Sequence, residues 1–435
     1  MSNDHKDKNI FKQIIGENWE AFKKRYPQFD QPRYNDAVKK MLGCGEKENG
    51  YACYVCCSCG EMVTVSFSCK SSFCLACGKV YSDNWVDQIS EILYDGMCYR
   101  HVVLTMPEDL RRIFFEEPKL LAELIKIGPQ MLTAALSDWF KEAVEVGCIV
   151  VLQTAGRSGH YNPHLHIIMT SGGLSKSSGQ WRSLQYINFE MLHKKWQYFL
   201  LTMLREQINT PEMRATVARM YEQYPKGLVA FLDKGRMPHN SEGLARYLVK
   251  YVVSPPIAIS RILEYDGKQV VYWYKDHETG KKKTETVDVI RFVGLMVQHI
   301  LPKGFQRIRY YGLQATAKRP KVLLLLKKIM QTVTRAISGV YKIVKKTFRQ
   351  RVMDSGCQDP LKCKKCGDAM VLYFIWHPDH GYIYDFWDAS EKCHEPQTET
   401  KAGTGTETKA GTGSSGLVGH RERSQVQMLM PFMQV

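Results

Sequence analysis

A run of closely spaced cysteines constrains this chain more than any other feature of its sequence. Residues 44–78 contain eight of the fourteen cysteines, among them two C-x2-C pairs that are each followed by a glycine. Zinc takes four ligands at tetrahedral corners, and two such pairs can supply them. The glycine permits the tight turn around the sulfurs. We therefore predict a closed, structural Zn²⁺ site formed by Cys56, Cys59, Cys74 and Cys77.

The remaining cysteines leave alternatives for the ligand sets. Cys53, Cys57 and Cys69 offer other registers for the same zinc site. A separate half-site, in which Cys363 and Cys366 are followed by a glycine, lies far along the chain. It predicts a second zinc if further ligands complete it, and the candidates are Cys357, His377, His380 and Cys393.

The charge balance points to a polyanionic partner. The chain carries 60 Lys and Arg against 44 Asp and Glu, a formal net charge of +16 at pH 7. Such an excess favours nucleic acid, because basic groups release counterions from phosphates, although a solvated basic surface has the same composition. We see no signal segment and no run of the roughly 18 apolar residues that span a membrane. We expect a cytoplasmic, nucleoid-associated bacterial or archaeal protein, where cysteines indicate metal rather than disulfides.

The sequence predicts four regions. Residues 1–95 combine a helical N-terminus with the cysteine module, and residues 96–315 read as a mixed region of strands and helices. Residues 316–395 are basic and helical in pattern, with the second cysteine patch. In residues 396–435 the octapeptide TETKAGTG occurs twice in tandem. Because that repeat has no apolar residue larger than alanine, it predicts a disordered tail.

Two histidines lie on a predicted strand of the central region. Residues 148–154 form an apolar, β-branched run, residues 155–163 a loop rich in Gly, Ser, Asn and Pro, and residues 164–170 a second strand. Residues i and i+2 of a strand face the same side. His164 and His166 should therefore point together.

Two imidazoles that converge from one strand predict a divalent-metal site. Gln153, at the end of the preceding strand, is the best candidate for a third ligand. Taken alone, two histidines at this spacing on a half-buried strand are more often structural than metal ligands. The hypothesis of a metal site therefore depends on the segments that follow.

Two tyrosines share one face of a predicted helix. The segment SEGLARYLVKYVVSPP predicts a helix that begins after the N-cap candidate Ser241 and ends before Pro255. Tyr247 and Tyr251 are four residues apart, so their side chains are neighbours on the helix surface. An isolated pair of this kind more often packs into a core. A tyrosine oxygen can also attack a phosphodiester and form a phosphotyrosine, with a metal as Lewis acid.

Basic and aromatic residues recur around these segments. A basic patch suited to backbone phosphates comprises Lys303, Arg307, Arg309, Lys318 and Arg319, although a solvated charged face is the alternative reading. Asp266 and Gly267 predict a hairpin within a small meander at residues 257–289. The aromatic run at 272–274 could stack bases, but core packing is the more frequent role. His101, on the strand YRHVVLT, is interpreted as a core residue and not as a metal ligand.

Six segments, in order, resemble the transposases of rolling-circle insertion sequences, which belong to the HUH (His-hydrophobic-His) nuclease superfamily. They are SFSCKSSFCLACG, YRHVVLTMP at 99–107, VLQTAGRSGHYNPHLHIIMTSGGL at 151–174, RYLVKYVVSPPIAIS at 246–260, VYWYKD at 271–276 and LPKGFQRIRYYGL at 301–313. The resemblance covers roughly residues 40–315.

The resemblance implies an α+β fold: an HUH nuclease domain with a central antiparallel sheet and flanking helices, beside a small N-terminal zinc-binding domain. His164 and His166 match the metal-binding pair, and Tyr247 and Tyr251 match the nucleophile positions. The implied reaction cuts single-stranded DNA at transposon ends and target, leaves a 5′-phosphotyrosine and a free 3′-OH, and then transfers the strand. The implied catalytic cofactor is Mg²⁺ or Mn²⁺, and the implied structural metal is Zn²⁺.

The sequence departs from the usual pattern of these transposases at several positions. Ser72 and Leu75 stand where relatives tend to have Arg and Pro, and Gln153 stands where relatives often have His. Two other readings stay open. One is a rolling-circle replication initiator or relaxase with the same chemistry, and the other is a non-catalytic, zinc-dependent DNA-binding regulator.

Overall fold

The computed structural model describes residues 9–77, 86, 89–90, 92–94, 97–232, 243–247, 255–276, 279–318, 320, 322, 349, 359 and 361–386. Tyr251, Arg319, Cys357, Cys393 and the repeats of the tail lie outside the described residues. The chain divides into two compact units, the first formed by Met1–Leu42 and Cys69–Tyr341, the second by Gly43–Ser68 and Lys342–Val435. The division into four regions that the sequence predicts stays a prediction.

The regular elements are numbered along the chain. The helices are α1 (Ile10–Arg25), α2 (Pro32–Leu42), α3 (Glu108–Glu116), α4 (Leu120–Phe140), α5 (Phe189–Gln207), α6 (Pro211–Gln223) and α7 (Val289–Val297). The strands are β1 (Tyr51–Cys56), β2 (Met62–Ser66), β3 (Tyr99–Leu104), β4 (Val144–Glu145), β5 (Cys148–Ala155), β6 (Tyr161–Thr170), β7 (Gly172–Ser175), β8 (Trp181–Ser183), β9 (Ala230–Leu232), β10 (Ile262–Tyr265), β11 (Gln269–Lys275), β12 (Lys282–Asp288), β13 (Ile308–Tyr311), β14 (Met370–His377) and β15 (Gly381–Asp385). Residues 243–247 are also helical.

A five-stranded antiparallel sheet forms the centre of the first unit. Its strand order is β13-β5-β6-β3-β9, so β6, which carries the histidine pair, lies in the middle. The loop between β5 and β6 is shorter than the predicted 155–163, because β5 extends to Ala155 and β6 already begins at Tyr161 and includes Asn162 and Pro163. The α+β fold with a central antiparallel sheet is confirmed.

Both faces of this sheet are covered, which explains why its strands read as almost continuous apolar runs. On one face, Leu165 and Ile167 of β6 pack in a large core with residues of α4 and α5. Gly128 of α4 lets that helix approach closely, because a Cβ there would lie 2.8 Å from a methyl carbon of Leu165. On the other face, Ile168 packs in a smaller cluster that includes Leu244 of the helical segment 243–247.

Two further elements of the first unit complete the surroundings of the sheet. The helices α1 and α2 are separated by a short 3₁₀ helix, Pro27–Phe29. The strands β10, β11 and β12 form an antiparallel meander, and its first turn has Gly267 at φ +91°. Asp266 accepts the backbone N–H of Gln269 at 2.6 Å. The predicted hairpin is confirmed.

The second unit contains a four-stranded antiparallel sheet of order β15-β14-β1-β2. Its two central strands come from distant parts of the chain, since Cys56 pairs with Met370 in the register of β1 and β14. Among the described residues of the whole chain, no helix is long and apolar enough to cross a membrane.

Candidate active site

The two histidines of β6 lie side by side on the less apolar face of the central sheet. The centroids of the His164 and His166 rings are 4.9 Å apart, while Leu165 between them is fully buried in the opposite core. Nδ1 of His164 lies 2.7 Å from the backbone carbonyl of Asn162. A carbonyl can only accept, so Nδ1 carries the proton and the neutral ring presents the lone pair of Nε2. This is the arrangement that metal-binding histidines usually adopt.

His166 contacts a polar group on each neighbouring strand. Its Nε2 lies 3.1 Å from Oε1 of Gln153 on β5, and its Nδ1 lies 2.9 Å from Nε2 of His101 on β3. The register explains the second contact, because Val103 lies opposite His166 and His101 is two residues away on the same face. Gln153 is therefore placed beside the histidine pair, as the sequence predicted.

His101 connects the histidine pair to the tyrosine helix. Its Nδ1 lies 3.0 Å from the phenol oxygen of Tyr247, and its ring stacks on that of His166 with centroids 5.1 Å apart. The interpretation of His101 as a residue of the core alone missed this role, although it is buried. The sequence of β3 alone held no signal for this role, because the role depends on the register between β3 and β6.

The side chains of Gln153, His166, His101 and Tyr247 form a row of hydrogen bonds, and the amide oxygen of Gln153 fixes the direction of each bond. Oε1 of Gln153 can only accept, so Nε2 of His166 donates and its Nδ1 accepts when the ring is neutral. Nε2 of His101 then donates to His166, and Nδ1 of His101 accepts the O–H of Tyr247. Each neutral ring carries one proton throughout, so the four side chains form a consistent chain.

Burial keeps these imidazoles neutral. It lowers the pKa of His164, and it lowers the pKa of His166 well below the ordinary value. Positive charge on His164 or on His101 would lower the pKa of His166 further. A neutral imidazole is the form that binds a metal ion. The low pKa values therefore suit a metal site and disfavour a role for either residue as a cationic phosphate ligand.

The donor set around the pair fits a divalent cation. His164 and His166 offer ring nitrogens, and Gln153 offers an amide oxygen. A fourth oxygen, Oδ1 of Asn162, is buried and accepts no hydrogen bond from the described residues. Asn162 precedes His164 by two residues on β6, so the two share a face. Mixed nitrogen and oxygen ligands suit Mn²⁺, with Mg²⁺ as the more oxygen-seeking alternative.

A wide basic cleft opens beside the histidines. It has a volume of about 1630 Å³, and its walls include His164, His166, Gln153 and Asn162. Among the described residues of its walls, one is acidic, Asp36, and seven are basic: Arg33, Lys40, Lys70, Arg157, Arg261, Lys303 and Arg307. This excess of positive charge suits a phosphodiester backbone.

The structure separates the predicted basic patch into two groups. Lys303 and Arg307 line the cleft. Arg309 does not, because it lies on β13 between Ile308 and Tyr310, which face the cleft. Lys318 is paired with Glu145 and also lies outside the cleft walls. The sequence reasoning missed the contributions of α2 and of the cysteine module, since no local pattern links them to β6.

The predicted zinc ligands do not form one group. Cys74 and Cys77 lie with Cys69, and the sulfurs of these three residues are within 4.8 Å of one another. Cys56 and Cys59 lie instead with Cys363 and Cys366. The grouping predicted from the sequence is corrected accordingly: spacing along the chain could not show that the distant pair meets Cys56 and Cys59. Both sets of cysteines are suited to Zn²⁺.

Comparisons with known proteins agree with these features. A family model described as "Transposase zinc-binding domain" matches residues 14–106, and one described as "Putative transposase" matches residues 147–321. The chain is 29% identical over 349 residues to the transposase for insertion sequence element IS801 of Pseudomonas savastanoi pv. phaseolicola, covering 77% of this chain and 82% of the relative. It is 24% identical over 333 residues to "Putative transposase y4qJ" of Sinorhizobium fredii, covering 73% and 83%. No solved structure matches the chain.

The cysteine-rich module, the antiparallel sheet and the basic cleft, taken with these matches, define a DNA-processing enzyme. The zinc-binding match precedes the transposase match along the chain. The chain is similar to transposases in both matched segments and over most of its length.

Proposed function

We propose that this transposase nicks single-stranded DNA with a tyrosine nucleophile and joins strands in rolling-circle transposition. The observation that supports the proposal most strongly is the contact between Tyr247 and His101, which is itself in contact with His166. It brings a potential nucleophile to the edge of the metal-suited histidine pair. A core role alone would not require the phenol oxygen to point at an imidazole.

In the proposed cleavage step, the phenol oxygen of Tyr247 attacks the phosphorus of the scissile phosphodiester. The bond from phosphorus to the 3′ oxygen breaks, and that oxygen leaves as a 3′-OH after it takes up a proton. The 5′ end stays on the enzyme as a phosphotyrosine. The covalent bond preserves the energy of the phosphodiester, so a 3′-OH can later attack the phosphotyrosine and rejoin DNA without ATP.

His101 would control the proton of the nucleophile. In the structure its Nδ1 accepts the phenol O–H, so it can take the proton as the oxygen attacks. The proton taken up by His101 can then pass to the 3′ oxygen as that oxygen leaves, so the cleavage step balances. His166 would support the protonated ring of His101, because its Nδ1 accepts the N–H of His101.

His164, His166 and Gln153 would hold Mg²⁺ or Mn²⁺, with Asn162 as a further oxygen ligand. The metal would polarise the scissile phosphate and offset the charge that develops during attack. The basic residues of the cleft would bind the phosphates on either side of the scissile bond. Tyr251, four residues after Tyr247, would act as a second nucleophile that alternates with the first.

The cysteine module would help to shape the DNA-binding surface. Lys70, Ser71, Ser72 and Phe73 line the cleft, and they form the segment between Cys69 and Cys74. A Zn²⁺ bound by Cys69, Cys74 and Cys77 would hold this segment in place. Lys70 has φ +50°, a left-handed backbone conformation that few residues other than glycine adopt. A metal bound on both sides of this segment would hold Lys70 in that conformation.

A nicking assay on single-stranded DNA tests the proposal. With Mg²⁺ or Mn²⁺, the wild-type protein should form a covalent adduct that survives a denaturing gel. Tyr247→Phe should greatly reduce the adduct while DNA binding is kept, and the double variant with Tyr251→Phe should form none. Tyr310→Phe, which alters another tyrosine of the cleft, is the matched control. An adduct of wild-type yield in the double variant would overturn the assignment of the nucleophile.

A further inference from the structure

Two turns from opposite parts of the chain have the same structure. Cys56 and Cys59 are followed by Gly60, and Cys363 and Cys366 are followed by Gly367. In each turn the N–H of the glycine donates to the carbonyl of the first cysteine, at 2.9 Å from Gly60 and 3.0 Å from Gly367. Both glycines have positive φ, +72° and +86°. The two segments are therefore equivalent C-x2-C-Gly turns.

A second set of hydrogen bonds shows the same equivalence. The N–H of Cys56 donates to the carbonyl of Glu61 at 2.9 Å, and the N–H of Cys363 donates to that of Asp368 at 2.7 Å. The N–H of Lys365 also points at the sulfur of Cys363, at 3.4 Å. In each turn, the two cysteine sulfurs therefore lie on the same side, together with the backbone N–H groups that surround them.

The sheet of the second unit brings the two turns face to face. Cys56 ends β1 and pairs with Met370, which begins β14, directly after the second turn. The sulfur of Cys56 lies 3.4 Å from that of Cys366, and the sulfur of Cys59 lies 3.6 Å from that of Cys363. All four sulfurs are within 4.8 Å of one another. A tetrahedral Zn²⁺ with sulfurs at about 2.3 Å separates them by about 3.8 Å.

The four cysteines also lie at a place in the second unit where a small domain usually has a hydrophobic core. The buried cluster at this point consists of Cys56, Cys363 and Met370, with Tyr54, Cys59 and Val63 packed against it. Few large apolar side chains are present, so side-chain burial alone gives this end of the sheet little stability. A bound metal is the usual replacement for a core in a domain of this size.

We propose that Cys56, Cys59, Cys363 and Cys366 bind one Zn²⁺ in a closed site that connects an N-terminal turn and a C-terminal turn of the second unit. The site is separate from the one at Cys69, Cys74 and Cys77. Its ligands are separated by as many as 310 residues, and two of the four lie beyond residue 106, where the match to the zinc-binding domain ends. The zinc-binding segment of the N-terminal region is thus completed by the C-terminal region.

The experiment is thiol labelling of the full-length protein, purified with its metal. Cysteines are alkylated before and after chelation, and each peptide is quantified by mass spectrometry. We expect Cys56, Cys59, Cys363 and Cys366 to be protected together and released together by the chelator. The exposed Cys57, between the ligands of the first turn, and the exposed Cys98 should react in both states. Labelling of Cys363 and Cys366 at the rate of Cys57 in the metal-loaded protein would overturn the proposal.

Metal content gives the second measurement. The double variant Cys363→Ser, Cys366→Ser should contain one Zn²⁺ per chain less than the wild-type protein, whereas Cys57→Ser should keep the full content. Unchanged zinc in the double variant, or iron in place of zinc, would overturn the assignment. If the double variant fails to fold, the labelling of the wild-type protein decides the question. Neither readout depends on DNA cleavage, so the zinc site and the proposed function can fail independently.

Discussion

The phenol oxygen of Tyr247 lies 3.0 Å from Nδ1 of His101, although 146 residues separate the two in the sequence. The opposite nitrogen of His101 lies 2.9 Å from Nδ1 of His166. A helix and two strands thus place the proposed nucleophile, the proposed proton acceptor and an imidazole suited to metal binding in one row. This row is the structural basis of the proposed cleavage reaction.

Replacement of His101 should slow cleavage without preventing DNA binding. His101→Ala removes the group that accepts the phenol proton, so we expect the rate of adduct formation to fall by about 10²- to 10⁴-fold. The loss should be smaller at high pH, where the phenol ionises more readily. His160→Ala, which alters an exposed histidine of the β5–β6 loop, is the control. An unchanged pH–rate profile in His101→Ala would contradict the role in proton transfer.

Removal of the paired histidines should abolish the metal dependence of cleavage. His164→Ala and His166→Ala each delete a ring nitrogen, and the double variant should lose Mn²⁺ binding in calorimetry. Gln153→Ala should weaken Mn²⁺ binding by about 10-fold or more, because it removes an oxygen that orients and supports the site. The double variant should still bind single-stranded DNA. Mn²⁺ affinity that is unchanged in the double variant would rule out this metal site.

The cleft predicts which basic residues bind DNA. Lys303→Ala and Arg307→Ala should weaken binding of single-stranded DNA and should each lower the slope of log K against log salt by about 0.7, for one phosphate contact. Arg309→Ala and Lys318→Ala, which alter residues outside the cleft walls, are matched controls of the same charge. Equal effects of all four substitutions would indicate a diffuse basic surface instead of binding in the cleft.

His299, a partly buried residue of the cleft wall, should make stability depend on pH. Its Nε2 donates to the carbonyl of Gly159 at 2.9 Å and its Nδ1 lies 3.1 Å from Oγ1 of Thr154, while burial lowers its pKa from 6.5 to about 4. Folding thus favours the neutral ring. This contribution to the free energy of unfolding is complete above pH 6.5 and is lost as the pH falls through 4, about 3 kcal/mol in all.

The test compares urea unfolding of the wild-type protein and His299→Gln at pH 7 and near pH 4. The difference between the two proteins should shrink at the lower pH, because only the wild-type protein has this imidazole to protonate. His380→Gln, at an exposed position away from His299 in the sequence, should follow the wild-type protein at both values. A difference that is the same at both pH values would show that His299 is not held neutral.

The elements that carry local periodicity were predictable. The alternation around Leu165 placed His164 and His166 on one face, and Asp266 with Gly267 marked the hairpin. These patterns depend only on residues that are close in the sequence. The placement of Gln153 followed from the short connection between two adjacent strands, which fixes their register.

Contacts between residues that are distant in the sequence could not be predicted from local patterns. His101 joins the site because β3 pairs with β6 in one particular register, and a shift by one residue would point it into the opposite core. The meeting of Cys56 with Cys366 likewise depends on the pairing of β1 with β14. Spacing within a single segment contains no information about either pairing.

The most direct test of the account identifies the residue that becomes bonded to DNA. Trypsin cuts after Arg246 and Lys250, so Tyr247 and Tyr251 fall in different peptides. Mass spectrometry of the trapped protein–oligonucleotide adduct should find the nucleotide on Tyr247, in the peptide YLVK, and the yield should fall in His101→Ala. An adduct carried only by Tyr251 or by a residue outside this helix would contradict the contact between Tyr247 and His101 as the centre of catalysis.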